Sequence, residues 1–172
     1  MRARAAVALL AFVAVGATPS PSPSPRPTPN PYRQIEFASP TLGGQTQGHI
    51  AVTGGWAAIK RNGKAAVVCV SFKNEASVAA TRVIFEFAIS GRSGDNLADL
   101  QLDRRGTFSS GVDINGWASL ADWQSGVGHR GYGDNCQTVS SGVAALPLLS
   151  GRYVTYHVRA VEYADGHTWG PP

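Results

Sequence analysis

Hydrophobic and polar residues alternate with a period of two along residues 81–89. Val83, Phe85, Phe87 and Ile89 fall on one face of this segment, and the charged positions between them fall on the other. Because successive side chains of a β-strand point to opposite sides, this alternation predicts a half-buried antiparallel strand.

A different pattern, an almost unbroken apolar run, covers residues 65–72 and predicts a central strand that is covered on both faces. The dipeptide Asn62-Gly63 precedes it, and this dipeptide favours the type I′ turn of a two-residue β-hairpin. The resulting register places Trp56 directly opposite Cys69.

Shorter apolar or alternating segments, separated by turn residues, predict the remaining strands. They cover residues 34–37, 49–53, 100–102, 112–114, 136–139, 143–146 and 153–163, followed by a turn at Asp165-Gly166 and a last strand through Trp169. Strong helix formers are sparse. About seven to nine short strands of this kind predict an all-β fold, and specifically an antiparallel two-sheet β-sandwich.

The N-terminal residues break this pattern. Arg2 and Arg4 precede an apolar run over residues 5–15, and small residues at 15–17 supply a cleavage site. The apolar stretch is shorter than the roughly 20 residues that a membrane-spanning helix requires. We therefore expect a cleaved secretory signal peptide at residues 1–17, an exported or extracytoplasmic protein, and no membrane span in the mature chain.

Residues 18–31 form a Pro/Ser-rich spacer with proline at every second position. Proline fixes φ and restricts the residue before it, so the spacer is expected to be extended polyproline II. Residues 32–172 then form one β-sandwich domain, which is long enough to bury a core of its own.

Charge gives little indication of a partner. Fifteen Lys and Arg residues against eleven Asp and Glu residues give a formal net charge of +4, and loss of the two leader arginines lowers it to +2. The longest basic runs are Lys60-Arg61 and Arg104-Arg105, which lack the clustered charge of a nucleic-acid-binding surface. We interpret them as solvated turn charges and expect no nucleic-acid partner.

Cys69 and Cys136 are the two cysteines of the chain. In an exported protein they are expected to form one disulfide, with a metal site or a catalytic thiol as the alternative. Closing a loop of this length would stabilise the fold by roughly 4 kcal/mol through lost chain entropy in the unfolded state. We further expect the Trp56 ring to pack on this disulfide.

Three segments carry a resemblance to a group of known proteins: Cys69-Val-Ser-Phe-Lys-Asn, Ala80-Thr-Arg-Val-Ile-Phe-Glu-Phe and Val161-Glu-Tyr-Ala-Asp-Gly-His-Thr-Trp. They resemble an uncharacterised group of secreted bacterial β-sandwich proteins of immunoglobulin-like form. The resemblance covers residues 34–169 and implies an immunoglobulin-like β-sandwich without implying an activity. The chain differs from antibody domains because Asp134 stands where a corner tyrosine would precede the second cysteine.

A loop rich in glycine and aromatic residues, between residues 117 and 136, is the candidate ligand surface. Its candidate residues are Trp117, Asp122, Trp123, His129, Tyr132, Asp134 and Asn135. Aromatic rings stack on the apolar face of a sugar, and carboxylate or carboxamide groups bind its hydroxyls. The alternative is a long surface loop whose Trp side chains fold back onto the edge of the sandwich.

Catalytic and metal-binding motifs are missing from the sequence. Ser125, His129 and Asp134 combine the residue types of a hydrolase triad, but the chain has no Gly-x-Ser-x-Gly elbow. The four histidines lack the spacing of metal ligands. We therefore expect no metal, no cofactor and no enzymatic activity.

These patterns together predict an exported, non-enzymatic β-sandwich module that binds a ligand or has a structural role at the cell envelope or outside the cell. An extracellular glycan or an envelope protein is the expected kind of partner. The alternative is a hydrolase or a carbohydrate-binding accessory protein that uses the loop at residues 117–135.

Overall fold

The computed structural model describes residues 28–37, 48–126, 135–140 and 148–171, and this part of the chain is mainly β-structure. Its strands are β1 (Tyr32–Phe37), β2 (Ile50–Lys60), β3 (Ala65–Asn74), β4 (Ala80–Gly91), β5 (Asn96–Phe108), β6 (Asp113–Ile114), β7 (Cys136–Ser140), β8 (Gly151–Tyr163) and β9 (Thr168–Trp169). A short helix, α1 (Leu120–Ser125), lies between β6 and β7. The predicted all-β class is confirmed, while the predicted strand at residues 143–146 lies outside the described residues.

Backbone hydrogen bonds join the strands into one mixed sheet with the order β5-β4-β8-β1-β2-β3-β6, in which β7 also pairs with β3 and β9 with β8. The first part of β1 pairs antiparallel with β2, whereas Glu36 and Phe37 pair with β8. β1 therefore passes from one half of the sheet to the other. β1 and β8 run in the same direction and pair in parallel. The expectation of a purely antiparallel fold is therefore wrong for this pair of strands.

The sheet has two halves, the first formed by β2, β3, β6 and β7 and the second by β4, β5, β8 and β9, and they face each other across one core. Three strands lie between β3 and β4 in the sheet order, yet the ring centroids of Phe72 on β3 and Phe85 on β4 are 5.1 Å apart. The same buried cluster contains Ile59 from the first half and Val158 from the second. The sheet therefore curls over its own inner face, and the two halves bury each other's apolar side chains.

The alternation predicted for β4 is confirmed. Val83, Phe85, Phe87 and Ile89 are all buried in the core. β4 pairs antiparallel with β5 on one side and with β8 on the other. Its outward side chains therefore have neighbours on the outer faces of both strands. Full burial of each large apolar side chain stabilises the fold by roughly 1.5–3 kcal/mol.

The hairpin between β2 and β3 has the predicted register but a different turn. Trp56 lies opposite Cys69, as expected. Gly63 has a positive φ of 69°, whereas Asn62 does not have one, so the predicted type I′ turn is wrong at Asn62. The Asn62 side chain instead accepts a hydrogen bond from the Lys64 backbone N–H at 3.0 Å, which closes the turn by an Asx-type contact.

Both faces of β3 are covered, as its unbroken apolar run predicts. Val68 and Val70 face the main core, while Val67 and Cys69 belong to a second buried cluster on the opposite face. Leu120 of α1 packs in this second cluster. The helix therefore covers the outer face of the β2–β3 pair.

The predicted disulfide between Cys69 and Cys136 is present. It joins directly opposite positions of the neighbouring strands β3 and β7, with a Cα–Cα distance of 4.0 Å. The disulfide of an antibody domain instead joins the two sheets of the sandwich. Trp56 is buried in the same cluster as Cys69, and Cys136 packs against that cluster, as expected for a ring that covers the disulfide.

The adjacent glycines Gly54 and Gly55 of β2 provide a matched test of how closely the Phe37 ring and the β3 backbone approach β2. A Cβ at Gly55 would lie 2.5 Å from the Phe37 ring and 2.8 Å from the Cys69 carbonyl oxygen, whereas a Cβ at Gly54 would meet nothing within 4 Å. We expect Gly55→Ala to lower the free energy of unfolding by about 1–3 kcal/mol, because the added methyl group forces neighbouring strands apart. Gly54→Ala should leave it almost unchanged. Urea denaturation measures both, and equal effects of the two substitutions would contradict the packing described here.

Candidate functional site

The predicted ligand loop is only partly within the described residues. Trp117, Asp122, Trp123 and Asn135 are described, whereas the other candidate residues lie outside the described part of the chain. These are His129, Tyr132 and Asp134. The structure therefore shows the two ends of this loop, residues 117–126 and 135–136.

Ser119 caps the helix that follows Trp117, and Asp122 lies in the first turn of this helix. The hydroxyl of Ser119 accepts a hydrogen bond from the Asp122 backbone N–H at 3.2 Å and donates one to the Asp122 carboxylate at 2.6 Å. The helix ends at Gly126, whose φ is 64°. Asp122 thus has a local structural role that the sequence does not distinguish from a ligand contact.

The two loop tryptophans pack back towards the sheet and are half-buried. Trp123 makes edge contacts with Tyr32 at a centroid distance of 5.6 Å and with Trp56 at 6.2 Å. The Trp56 indole N–H donates a hydrogen bond to the Trp117 carbonyl oxygen at 2.7 Å. These rings cover the second buried cluster around the disulfide, and Trp123 meets its neighbours edge-on instead of forming a flat stacked strip.

Asn135 lies inside the protein and not on an exposed surface. Asn135 is fully buried, and its backbone carbonyl oxygen accepts a hydrogen bond from the Val70 backbone N–H at 3.0 Å. Among the residues that the structure describes, neither polar atom of its side chain has a hydrogen-bond partner.

A second candidate site lies on the outer face of the β4–β8 pair, where the Glu86 carboxylate is held between two donors. His157 Nε2 lies 2.8 Å from one carboxylate oxygen, and Arg159 Nη1 lies 2.6 Å from the other. Glu86 pairs with His157 in the strand register. A bulge in β8 adds Arg159 as an extra residue between the partners of Phe85 and Ile84, which brings a second donor to the same carboxylate.

Two open hollows meet at Glu86 and His157. The larger, of about 560 Å³, is also lined by Arg159, Trp169 and the two residues that follow β9. The smaller, of about 360 Å³, extends towards Asp99 on β5. We call the set Glu86, His157, Arg159 and Trp169 the Glu86 surface.

Trp169 is 38% exposed and is one of the few large hydrophobic residues so exposed in the described chain. Its ring packs closely against Gly48, since a Cβ at Gly48 would lie 2.6 Å from the ring. Its backbone pairs with Val161 of β8. The ring and the Val161 side chain both lie against Gly48, and because Val161 is buried in the core the ring lies on the core side of β8, while Trp169 as a residue lines the edge of the open hollow.

Sequence reasoning did not find the Glu86 surface. The alternation places Glu86 on the outer face of β4, and the last hairpin places Trp169 at the end of β9, but neither pattern shows that β4 pairs with β8. His157 and Glu86 are far apart in the chain, so no local spacing signals their contact. Only the strand order brings the members together.

The Glu86 surface continues into an ion-pair network on the same outer face. Arg82 contacts the Asp103 carboxylate at 2.7 Å and the Glu162 carboxylate at 2.8 Å. The hydrogen bond from Arg82 lowers the pKa of Asp103, and the same partners raise the pKa of Arg82. Opposite charges therefore largely balance along this face.

The described residues contain no metal-binding cluster, and they include only one residue of the candidate triad, Ser125. Within that part of the chain, no three His, Cys, Asp or Glu side chains gather in a way that would hold a metal ion. Ser125 Oγ donates a hydrogen bond to the Asp122 carbonyl oxygen at 2.9 Å, while His129 and Asp134 are outside the described residues. Among the residues described, no helix has the length and apolar character needed to cross a membrane.

Comparison with family models, with curated proteins and with solved structures finds no match to this chain.

The lowered pKa of Asp103 predicts a pH-dependent contribution to stability. A carboxyl whose pKa is lower in the folded state stabilises the fold above its unfolded value of 3.8, and this contribution is lost as pH falls through the folded pKa. We expect Arg82→Gln to lower the melting temperature at neutral pH and to lose this effect in strong acid. Thermal unfolding followed by circular dichroism between neutral pH and pH about 2 tests this.

Arg105→Gln is the matched control, because Arg105 contacts the same carboxylate at 3.6 Å and its side chain is 70% exposed. It should have a much smaller effect at every pH. A constant difference between wild type and Arg82→Gln at all pH values would show that the ion pairs do not carry the effect.

Proposed function

We propose that this chain is an exported, non-enzymatic all-β module that binds a carbohydrate through the Glu86 surface. The observation that carries the proposal is the Glu86 carboxylate, fixed between His157 and Arg159 in an open hollow that Trp169 also lines. This is an acceptor that is held in a defined position at the surface.

The chemistry of this hollow fits a neutral, hydroxyl-rich ligand. Glu86, His157 and Arg159 are each partly exposed, so they keep donor and acceptor capacity on the solvent side. Their charges largely cancel, which favours polar hydroxyl groups over a highly charged ligand. Trp169 lines the same hollow and is partly exposed, and we assign to its exposed part the apolar contact with the carbon face of a sugar.

Glu86 is better suited to binding than to proton transfer. One of its carboxylate oxygens accepts a hydrogen bond from Arg159, and the other lies 2.8 Å from His157 Nε2. A glycosidase acid must instead carry a proton that it gives to the leaving group, with a second carboxyl group across the bond. This contrast supports a binding module over the alternative of a hydrolase.

Export is supported by the leader and spacer in the sequence and by the disulfide, since disulfides persist mainly in oxidising compartments outside the cytoplasm. An immunoglobulin-like form is supported by two facing halves over one core and by β1, which pairs with both halves. The sheet also differs from that form, since its disulfide joins neighbouring strands.

Substitution of two tryptophans distinguishes the Glu86 surface from the loop surface predicted by the sequence. The full chain is screened against a panel of neutral oligosaccharides, and affinities are measured by titration calorimetry. We expect Trp169→Ala to weaken binding about fivefold to tenfold, and Glu86→Gln to weaken it at least about tenfold, because a charged acceptor is lost. Trp123→Ala should bind as wild type.

His157→Ala changes the Glu86 surface without disturbing the packed Trp169 ring. Circular dichroism confirms that each variant is folded. If Trp123→Ala abolishes binding and Trp169→Ala does not, the ligand surface is the loop. If no oligosaccharide binds the wild-type chain, the carbohydrate assignment is wrong.

A further inference from the structure

One end of the domain carries a cluster of cations that comes from four separate chain segments. The segments are residues 28–33, 60–64, 91–95 and 148–152, and they contain six Lys or Arg residues and one acid, Asp95. The cations are Arg33, Lys60, Arg61, Lys64, Arg92 and Arg152. We call this set the basic tip.

Strand pairing places these segments together. Arg33 at the start of β1 pairs with Ile59, beside the turn that holds Lys60, Arg61 and Lys64. One nitrogen of the Arg33 guanidinium also donates hydrogen bonds to the Leu149 and Gly151 carbonyl oxygens, at 3.0 and 2.9 Å. The start of β8 is thereby fixed to the start of β1.

The β4–β5 turn joins the same end, because Gly91 pairs with Gly151. Arg92 directly follows Gly91, and Arg152 directly follows Gly151. Burial and the nearby charges of Arg152 and Arg61 lower the pKa of Arg33, as expected for guanidinium groups that lie close to each other.

The basic tip has six cations against one acid, Asp95, and so carries an excess of positive charge. Arg82, Arg105 and Arg159, on the outer face of the β5–β4–β8 strands, all contact carboxylates. Within the part of the chain that the structure describes, none of the four tip arginines forms an ion pair. Uncompensated cations held close together raise the local potential and attract anions.

An exposed apolar side chain lies among these cations. Leu149 is 39% exposed, and its own carbonyl oxygen binds Arg33. A hydrophobic side chain surrounded by Lys and Arg gains nothing from an anionic polymer in water. It gains when it enters the boundary between lipid headgroups and acyl chains while the cations bind lipid phosphates.

We propose that the basic tip docks the domain on a membrane surface that contains anionic phospholipid, with Leu149 inserted and the six cations facing the headgroup phosphates. The chain enters the domain at the same end, since Asn30 and Pro31 both accept hydrogen bonds from Arg61. The proposal goes beyond ligand binding at the Glu86 surface and uses none of its residues.

Vesicle cosedimentation of the full chain tests this proposal. One set of vesicles contains one part phosphatidylglycerol to two parts phosphatidylcholine, and the other contains phosphatidylcholine alone. We expect binding that depends on phosphatidylglycerol and weakens at high salt, because salt screens charge. The double variant Lys64→Gln with Arg152→Gln should lower the partition coefficient by roughly 25-fold, at about fivefold for each cation removed.

Two matched controls separate the tip from general charge and exposure. Lys73→Gln with Arg105→Gln removes two cations elsewhere and should bind as wild type. Leu149→Ser should weaken binding several-fold, whereas Val112→Ser, at the other residue with 39% exposure, should not. These residues do not belong to the Glu86 surface, so oligosaccharide binding should be unchanged in every variant.

Three results would overturn the proposal. One is the absence of any preference for phosphatidylglycerol over phosphatidylcholine vesicles. Another is an equal loss of binding in the tip and control double variants. The third is binding to long-chain inorganic polyphosphate that matches vesicle binding and is unaffected by Leu149→Ser, which would identify the partner as a dissolved polyanion.

Discussion

The antiparallel pairing of β4 with β8 is the constraint on which both the core and the Glu86 surface depend. On the inner face it brings Phe85 against Val158, within the core that the two halves of the sheet share. On the outer face the same pairing places His157 opposite Glu86, and the bulge in β8 adds Arg159. A slip of one residue would exchange the two faces, so core packing holds the surface in register.

Local patterns predict the parts of this fold that depend on nearby residues. The alternation along β4 and the register that sets Trp56 against Cys69 follow from side-chain period and hairpin length, and both are confirmed. Even there, the turn at Asn62 differs: Asn62 has no positive φ, and its side chain accepts a hydrogen bond from the Lys64 backbone N–H. The parallel pairing of β1 with β8 depends on residues more than a hundred positions apart and has no local signal.

The candidate sites show the same division. Trp117 and Trp123 are conspicuous in the sequence, yet an aromatic residue in a loop looks the same whether it covers a sheet or binds a ligand. Arg33, Arg92 and Arg152 are inconspicuous because each stands alone in its segment, and only strand pairing gathers them around the Lys60-Arg61 turn. Sites assembled from single residues of several strands leave no run or motif to read.

The position of β1 also has a mechanical consequence. A force applied through the residues before Tyr32 acts along β1, whose hydrogen bonds to β2 and β8 lie roughly across that direction. When the opposing force acts at the far end of β1, these bonds are loaded together in shear and resist it jointly, whereas bonds that are peeled apart open one after another. Because β1 pairs with both halves of the sheet, such a load is shared by the whole domain.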